Sequence, residues 1–121
     1  MDKTVGIIGL GIMGGAIARN LIERGWHVIG FDANSERNAE LALAKVSIAG
    51  DVAQVTRDTP VIMTSLPTPA AAENVAREIA ASGQSQRIVI ELSTLSLDDK
   101  LAFEAILRKA GHIALAETAS D

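Results

Sequence analysis

Residues 4–21 read TVGIIGLGIMGGAIARNL, a pattern that predicts a strand, a glycine turn and the start of a helix. Val5–Ile8 is a short apolar run, as expected of a parallel strand covered on both faces. The turn that follows, Gly9–Gly14, has the spacing G-x-G-x-x-G. This arrangement predicts a site for the pyrophosphate of a dinucleotide at the amino end of the helix.

The three glycines of the turn are expected to have different roles. Gly9 allows the tight turn after the strand, Gly11 lets a pyrophosphate reach the bare backbone, and Gly14 lets the helix pack closely on the strand. The helix start then offers unpaired N–H groups and a partial positive charge to the phosphate oxygens.

A second strand, His27–Asp32, ends in a carboxylate. Asp32 lies 18 positions beyond Gly14 (32 − 14), close to the spacing of about 20 residues expected for the acid that accepts hydrogen bonds from the adenosine ribose. The competing interpretation is a glycine-rich turn and an Asp that only opens the next loop. Arg37 follows five positions later, where it could cover the adenine, reach a 2′-phosphate or simply be a solvated helix residue.

Composition limits the remaining function classes. The chain has 121 residues, enough for one domain that buries roughly two-thirds of its unfolded surface. A net charge of −4 and only 2% aromatic residues argue against a nucleic-acid partner. Without cysteine, the chain has no disulfide, thiolate chemistry or cysteine zinc site. The glycine spacing near the amino end argues against a signal peptide, and no apolar run approaches about 20 residues, so we expect a cytoplasmic protein without a membrane partner.

The rest of the chain alternates between predicted strands and helices. Further strands are expected at Lys45–Ala49, Thr59–Thr64, Arg87–Leu92 and His112–Ala116. Residues expected on buried helix faces are Met13, Ile17 and Leu21 in the first helix (Ile12–Arg24), Ala39 and Leu43 in the second, Ala72, Val75 and Ile79 in the fourth, and Phe103, Ile106, Leu107 and Ala110 in the fifth. Helix caps are expected at Asn34 or Ser35, Asp51, Thr68 and Ser96. Lys100 and Lys109 are expected to be solvated. The alternation predicts a Rossmann-type α/β fold, a doubly wound and mainly parallel sheet with helices on both faces.

These motifs together resemble the β-hydroxyacid dehydrogenases, a family that includes 6-phosphogluconate dehydrogenase and 3-hydroxyisobutyrate dehydrogenase. The glycine turn has the form Gly-Leu-Gly-x-Met-Gly, and Ala18–Leu21 and Gly25 continue the match. Leu66-Pro67 and Ser93-Thr94 stand where the family places its next two signature loops. The resemblance covers nearly the whole chain.

The resemblance implies a cofactor site. The glycine turn would bind the pyrophosphate, Asp32 the adenosine ribose, Leu66 and Pro67 the nicotinamide side, and Thr94 the nicotinamide ribose. The implied cofactor-binding residues are Gly9, Leu10, Gly11, Ile12, Met13, Gly14, Asp32, Ala33, Arg37, Leu66, Pro67 and Thr94. NADP-using members carry Asn-Arg-Ser/Thr after the second strand, whereas this chain has Phe31-Asp32-Ala33-Asn34. NAD is therefore the expected cofactor, with NADP kept open by Arg37.

Two features of the family do not match. Of its substrate loop, only Leu115 and Ser120 correspond, which makes Ser120 the candidate substrate-binding residue. The family's catalytic lysine and all-helical second domain, which also builds its dimers, have no counterpart in these 121 residues, so no catalytic residue is expected.

Residues 1–121 are thus expected to be the dinucleotide-binding domain of an enzyme that transfers hydride between nicotinamide and a β-hydroxy acid, inactive alone. The alternatives are a stand-alone NAD(H)-binding sensor or interaction module, and an oxidoreductase of another Rossmann family, such as an imine or pyrroline-carboxylate reductase. A second copy of the chain, forming a homodimer, is also among the expected partners.

Overall fold

The structure, a computed structural model, describes residues 2–116. In this range strands and helices alternate as β1 (Thr4–Ile8), α1 (Ile12–Glu23), β2 (His27–Phe31), α2 (Ser35–Leu43), β3 (Ser47–Ile48), α3 (Val52–Asp58), β4 (Val61–Thr64), α4 (Pro69–Ala80), β5 (Ile88–Glu91), α5 (Leu97–Lys109) and β6 (Ile113–Ala116). The sheet has the order β3-β2-β1-β4-β5-β6, and every pairing is parallel. The predicted doubly wound fold is confirmed.

The strand order reverses between β1 and β4. The chain moves outward from β1 through β2 to β3, then returns to pair β4 with the other edge of β1. Connections leaving the carboxyl ends of β1 and β4 therefore diverge, which opens a crevice at this edge of the sheet. The predicted dinucleotide site lies at this crevice.

Helices cover the two faces of the sheet unequally. α1 and α2 contact β1, β2 and β3 on one face, while α3, α4 and α5 form a continuous layer on the other. Each face has its own hydrophobic cluster: Val5, Ile7, Val28 and Leu41 lie in the first, and Ile62, Val89, Phe103 and Leu107 in the second.

Within residues 2–116, the helices leave part of the first face incompletely covered. Its apolar side chains form two rows in register across β4, β5 and β6, which are Val61, Ile88 and Ile113, then Met63, Ile90 and Leu115. Ile113 is 54% exposed and Leu115 is 53% exposed, whereas the four residues on β4 and β5 are half-buried, and Val61 and Met63 pack against the first cluster. We call these six residues the bare sheet face. Parallel sheets are normally covered on both faces, so this surface is unusual for its fold.

The predicted buried face of α1 is wrong in part. Met13 is 43% exposed and Ile17 and Leu21 are only half-buried, whereas Gly14, Gly15 and Ala18 are buried. The glycines bring the helix so close to the sheet that small residues, rather than large ones, fit at the contact.

The predicted buried face of α2 is also wrong. Ala39 is exposed, Leu43 is 89% exposed, and Leu41 carries the contact with the sheet. Leu41 packs in the cluster that contains Val46, the residue after the helix turns back towards β3. Lys45 holds this turn with a φ of 77°, which is why β3 begins only at Ser47.

Lys100 corrects a third expectation, because it is buried rather than solvated. It lies three and seven positions before Phe103 and Leu107, on the core-facing side of α5. Lys109 is exposed, as predicted. The expected cap residues, Asn34, Asp51, Thr68 and Ser96, all accept hydrogen bonds from backbone N–H groups. The buried stripe of α4 is confirmed, whereas in α5 Phe103 and Leu107 are buried but Ile106 and Ala110 are only half-buried.

Candidate dinucleotide-binding site

Two glycines of the turn are required by the fold. Gly9 has a φ of 98°, which side chains rarely adopt, and a Cβ there would fall on the carbonyl oxygen of Ser65. A Cβ on Gly14 would fall on the carbonyl oxygen of Gly9. The backbones of the strand, the turn and the helix are therefore in direct contact here. This contact explains why glycine is needed at positions 9 and 14, whether or not a ligand binds.

Gly11 differs from both. Its backbone is extended, with φ −72° and ψ −155°, and a Cβ built on it would meet no atom within 4 Å. The protein's own packing therefore does not require glycine at this position. The open space over Gly11 is what a ligand needs to approach the backbone closely.

The amino end of α1 is uncapped. Gly11, its cap residue, has no side chain to accept a hydrogen bond, and the first turn carries no acidic residue. The other helices within residues 2–116 all have a capping side-chain oxygen. The first-turn N–H groups of α1 are thus available to an anion, which the helix dipole would also favour. Ile12 and Met13 lie exposed beside them.

Asp32 is held rigidly beside the turn. Its two carboxylate oxygens accept hydrogen bonds from the backbone N–H groups of Leu10, at 2.6 Å, and Asn34, at 2.8 Å. The side chain of Asn38 brackets its backbone, accepting from the Asp32 N–H at 2.9 Å and donating to the Asp32 carbonyl at 2.8 Å. Each carboxylate oxygen keeps further acceptor capacity, so the group can also accept from a pair of hydroxyls.

The structure does not bring Arg37 to Asp32. Arg37 lies on α2 with its Nη1 3.9 Å from Oε2 of Glu40, and residues 2–116 show no ion pair between Arg37 and Asp32. Ala33 is exposed in the loop between them.

The loops after β4 and β5 are joined at the same edge. The Leu66 N–H donates to Oγ of Ser93 at 2.6 Å, and Leu66 Cδ2 lies 3.3 Å from where a Cβ on Gly9 would be. Pro67 and Thr94 are exposed next to these contacts. The candidate residues of both loops therefore lie beside the glycine turn.

Two residues of this edge were not among the predicted site residues. Ser93 links the loops, and Glu91, fully buried at the end of β5, accepts a hydrogen bond from the Ser93 N–H. A carboxylate closing the apolar run RIVIE was the available sequence signal. Burial of this carboxylate could not be inferred from the run itself.

Other candidate sites are not supported. Ser120 lies outside the described residues. Within residues 2–116 no cluster of three His, Cys, Asp or Glu side chains could hold a metal ion, and no helix is long and apolar enough to span a bilayer. A groove of about 570 Å³ between the carboxyl ends of α4 and α5 is lined by Arg77, Ala80, Ala81, Ala105, Ile106, Lys109 and Ala110. It contains no residue of the candidate site.

Comparison with known proteins identifies the family of this chain. Residues 4–118 match the family model described as the NAD binding domain of 6-phosphogluconate dehydrogenase. A probable mitochondrial 3-hydroxyisobutyrate dehydrogenase of Dictyostelium discoideum is 38% identical over 113 residues, which are 93% of this chain and 34% of that protein. The 3-sulfolactaldehyde reductase of Escherichia coli is 31% identical over 94 residues, which are 75% of this chain and 32% of that protein.

Solved structures show the same relationship. The structure of Mycobacterium tuberculosis 3-hydroxyisobutyrate dehydrogenase with L-serine superposes with a TM-score of 0.91 at 26% identity, over 100% of this chain and 42% of that chain. A Streptomyces aurantiacus imine reductase, 23% identical, shares the fold with a TM-score of 0.85 over 93% of this chain and 40% of that chain. The chain spans about a third of the length of the curated relatives it matches. With nearly all described residues inside the matched range, this chain belongs to the family of NAD-binding domains found in 6-phosphogluconate dehydrogenase and 3-hydroxyisobutyrate dehydrogenase.

Proposed function

We propose that residues 1–121 bind NAD as the cofactor domain of a β-hydroxyacid dehydrogenase. The observation that carries this proposal is the uncapped amino end of α1, which opens over the unobstructed backbone of Gly11 beside the fixed carboxylate of Asp32. The uncapped helix end over Gly11 fits a pyrophosphate, and the Asp32 carboxylate fits ribose hydroxyls.

The parts of the dinucleotide would be distributed along the edge. The pyrophosphate would lie on Gly9–Gly14, and Asp32, with Ala33 beside it, would take the adenosine ribose. Leu66 and Pro67 would flank the nicotinamide, and Thr94 would contact its ribose. Bound NAD would supply the hydride acceptor, while these residues hold and orient it.

We infer a preference for NAD over NADP. The Asp32 carboxylate accepts hydroxyl donors well and repels a 2′-phosphate. Arg37, the group that could offset this repulsion, lies beside Glu40, so its charge is already partly balanced.

We infer that the substrate and the catalytic lysine belong to a further, helical domain. Relatives about three times as long carry names that refer to 3-hydroxyisobutyrate, a β-hydroxy acid, so a small β-hydroxy acid is the proposed substrate, with Ser120 as a candidate contact. The bare sheet face supports the docking of further polypeptide. A second copy of the chain, as a homodimer, is the alternative occupant of this face. Residues 1–121 alone are expected to show no turnover.

A cytoplasmic location is proposed from the lack of cysteine. The Dictyostelium relative is named as mitochondrial, so fractionation of tagged protein should decide this point.

Calorimetric titration of the chain with NAD and with NADP tests the proposal. Wild type should bind NAD more tightly, and Asp32→Ala should abolish that preference. Asp58→Ala, which removes an exposed carboxylate on α3, is the charge-matched control and should behave as wild type. Tighter binding of NADP would refute the cofactor preference. No binding up to about 1 mM, equivalent to about 4 kcal/mol, would refute the binding function itself.

A further inference from the structure

Glu91 occupies an unexpected position for a carboxylate. It is the last residue of β5, 0% exposed, and lies on the same face of the sheet as the core residue Val89. Burial of a carboxylate opposes folding unless hydrogen bonds compensate, and apolar replacements of buried ionic groups are often as stable. Stability alone therefore does not explain why a carboxylate stands here.

The carboxylate of Glu91 joins the ends of two strands. One oxygen accepts a hydrogen bond from the N–H of Ser93, two residues further along the chain. The other accepts from the hydroxyl of Thr64 at 3.2 Å, and Thr64 is the register partner of Glu91 at the end of β4. Two buried donors on neighbouring segments thus point at one side chain.

Ser93 extends this connection to the next loop. With its N–H held by Glu91, its own side chain is buried and its Oγ accepts from the Leu66 N–H at 2.6 Å. The result is a continuous path of hydrogen bonds from Glu91 through Ser93 to Leu66. This path joins the loop after β5 to the loop after β4, the two loops proposed to hold the nicotinamide and its ribose.

The adenosine half of the site is held by separate contacts. The Gly9 N–H donates to the Phe31 carbonyl at 2.9 Å, and the Asp32 carboxylate accepts from the Leu10 N–H at 2.6 Å. Neither of these hydrogen bonds includes Glu91 or Ser93. A change at Glu91 should therefore affect one half of the site selectively.

We propose that Glu91 is a positioning residue for the nicotinamide half of the bound dinucleotide. It acts through Ser93, whose orientation sets Leu66 and the adjoining Thr94. This inference rests on the proposed function, because it assigns the two loops to that half of NAD.

Paired titrations with ADP, which lacks both the nicotinamide and its ribose, and with NADH test the proposal. Glu91→Leu keeps the size of the side chain and removes both acceptors. It should weaken NADH binding about tenfold, as expected when a charge-assisted hydrogen bond is lost, and leave ADP binding within about twofold. Glu91→Gln can accept from Ser93 and donate to Thr64, so it should restore nearly wild-type affinity for both ligands. Thr56→Val, which removes a buried hydroxyl in α3, is the control and should change neither affinity.

Amide hydrogen exchange without ligand gives a second readout. Glu91→Leu should reduce protection of the Ser93 and Leu66 amides and leave the Gly9 amide unchanged. If Glu91→Leu does not fold, Ser93→Ala decides the matter, because it removes only the acceptor for Leu66 and should weaken NADH selectively.

Three results would overturn the inference. These are an equal loss of both ligands in the variants, no loss of either, or a wild type that binds NADH no better than ADP. The proposed function would survive all three, since wild type would still bind NADH. If wild type binds neither ligand, the proposed function fails and this inference with it.

Discussion

Replacing Gly11 by alanine should separate binding from folding. Its backbone is extended and its surroundings are empty, so the new methyl group meets no protein atom. It would instead occupy the space over the amino end of α1, where the pyrophosphate is proposed to lie. We expect Gly11→Ala to fold normally and to bind NAD poorly.

Two opposing terms set the effect of this substitution on stability. Loss of backbone freedom in the unfolded chain stabilises by about 0.4–1 kcal/mol. Alanine is a poorer cap residue than glycine, which destabilises by about 0.5–1 kcal/mol. The free energy of unfolding should therefore change by less than about 1 kcal/mol. Gly14→Ala, whose Cβ would fall on the Gly9 carbonyl oxygen, should lose about 3 kcal/mol or more, at the upper end of overpacking costs.

Urea unfolding and calorimetric NAD titration measure the two effects. Gly11→Ala should unfold at nearly the wild-type urea concentration and bind NAD at least about tenfold more weakly, which corresponds to 1.4 kcal/mol or more. Gly14→Ala serves as the contrast that loses stability. Unchanged NAD affinity in a folded Gly11→Ala protein would refute the assignment of this space to the pyrophosphate. A loss of more than about 2 kcal/mol in stability would refute the argument that the fold does not need glycine here.

Three further predictions concern parts of the molecule outside the site. Gly6→Ala should destabilise the fold by about 1–3 kcal/mol in urea unfolding, because its Cβ would lie 2.6 Å from Val55 Cγ1. Gly50→Ala, whose Cβ would make only an ordinary contact, is the control and should leave the unfolding free energy unchanged. Burial, with a smaller effect of Arg87, lowers the pKa of His112 below 6.5, so stability should be full above that pH and decline as the pH falls below it. His112→Asn should flatten this decline, and an unaltered slope of the unfolding free energy against pH below 6.5 would contradict the reasoning. Leu115→Lys should reduce binding of an apolar dye to the bare sheet face without changing NAD affinity, whereas Leu43→Lys, at an isolated exposed leucine, should have a smaller effect.

Features with local causes could be read from the sequence. The cap residues are examples, since Asn34, Asp51 and Thr68 each accept from an N–H two or three residues away. The glycine turn and Asp32 belong to the same class, because a fixed spacing along one strand, turn and helix brings them together. The alternation of strands and helices likewise predicted a parallel, doubly wound sheet.

Other features depend on which distant segments meet. The helical spacing of apolar residues predicted Met13 in α1 and Leu43 in α2 as core residues. In the structure, the close approach of α1 at its glycines and the packing of α2 around Leu41 bury other faces of these helices. A helical period states which residues share a side, and only the partner surface states which side is buried.

The sequence therefore determined the class of the fold and the family, because both follow from the order of strands and helices and from short motifs within single strand–turn–helix units. The proposed dinucleotide site was predicted from the same motifs. Only the tertiary structure decided that Glu91 is buried and joined to Thr64, that Lys100 is buried, and that β4, β5 and β6 share a bare sheet face. Burial and hydrogen bonding of these groups are set by elements far apart in the chain, which no local pattern specifies.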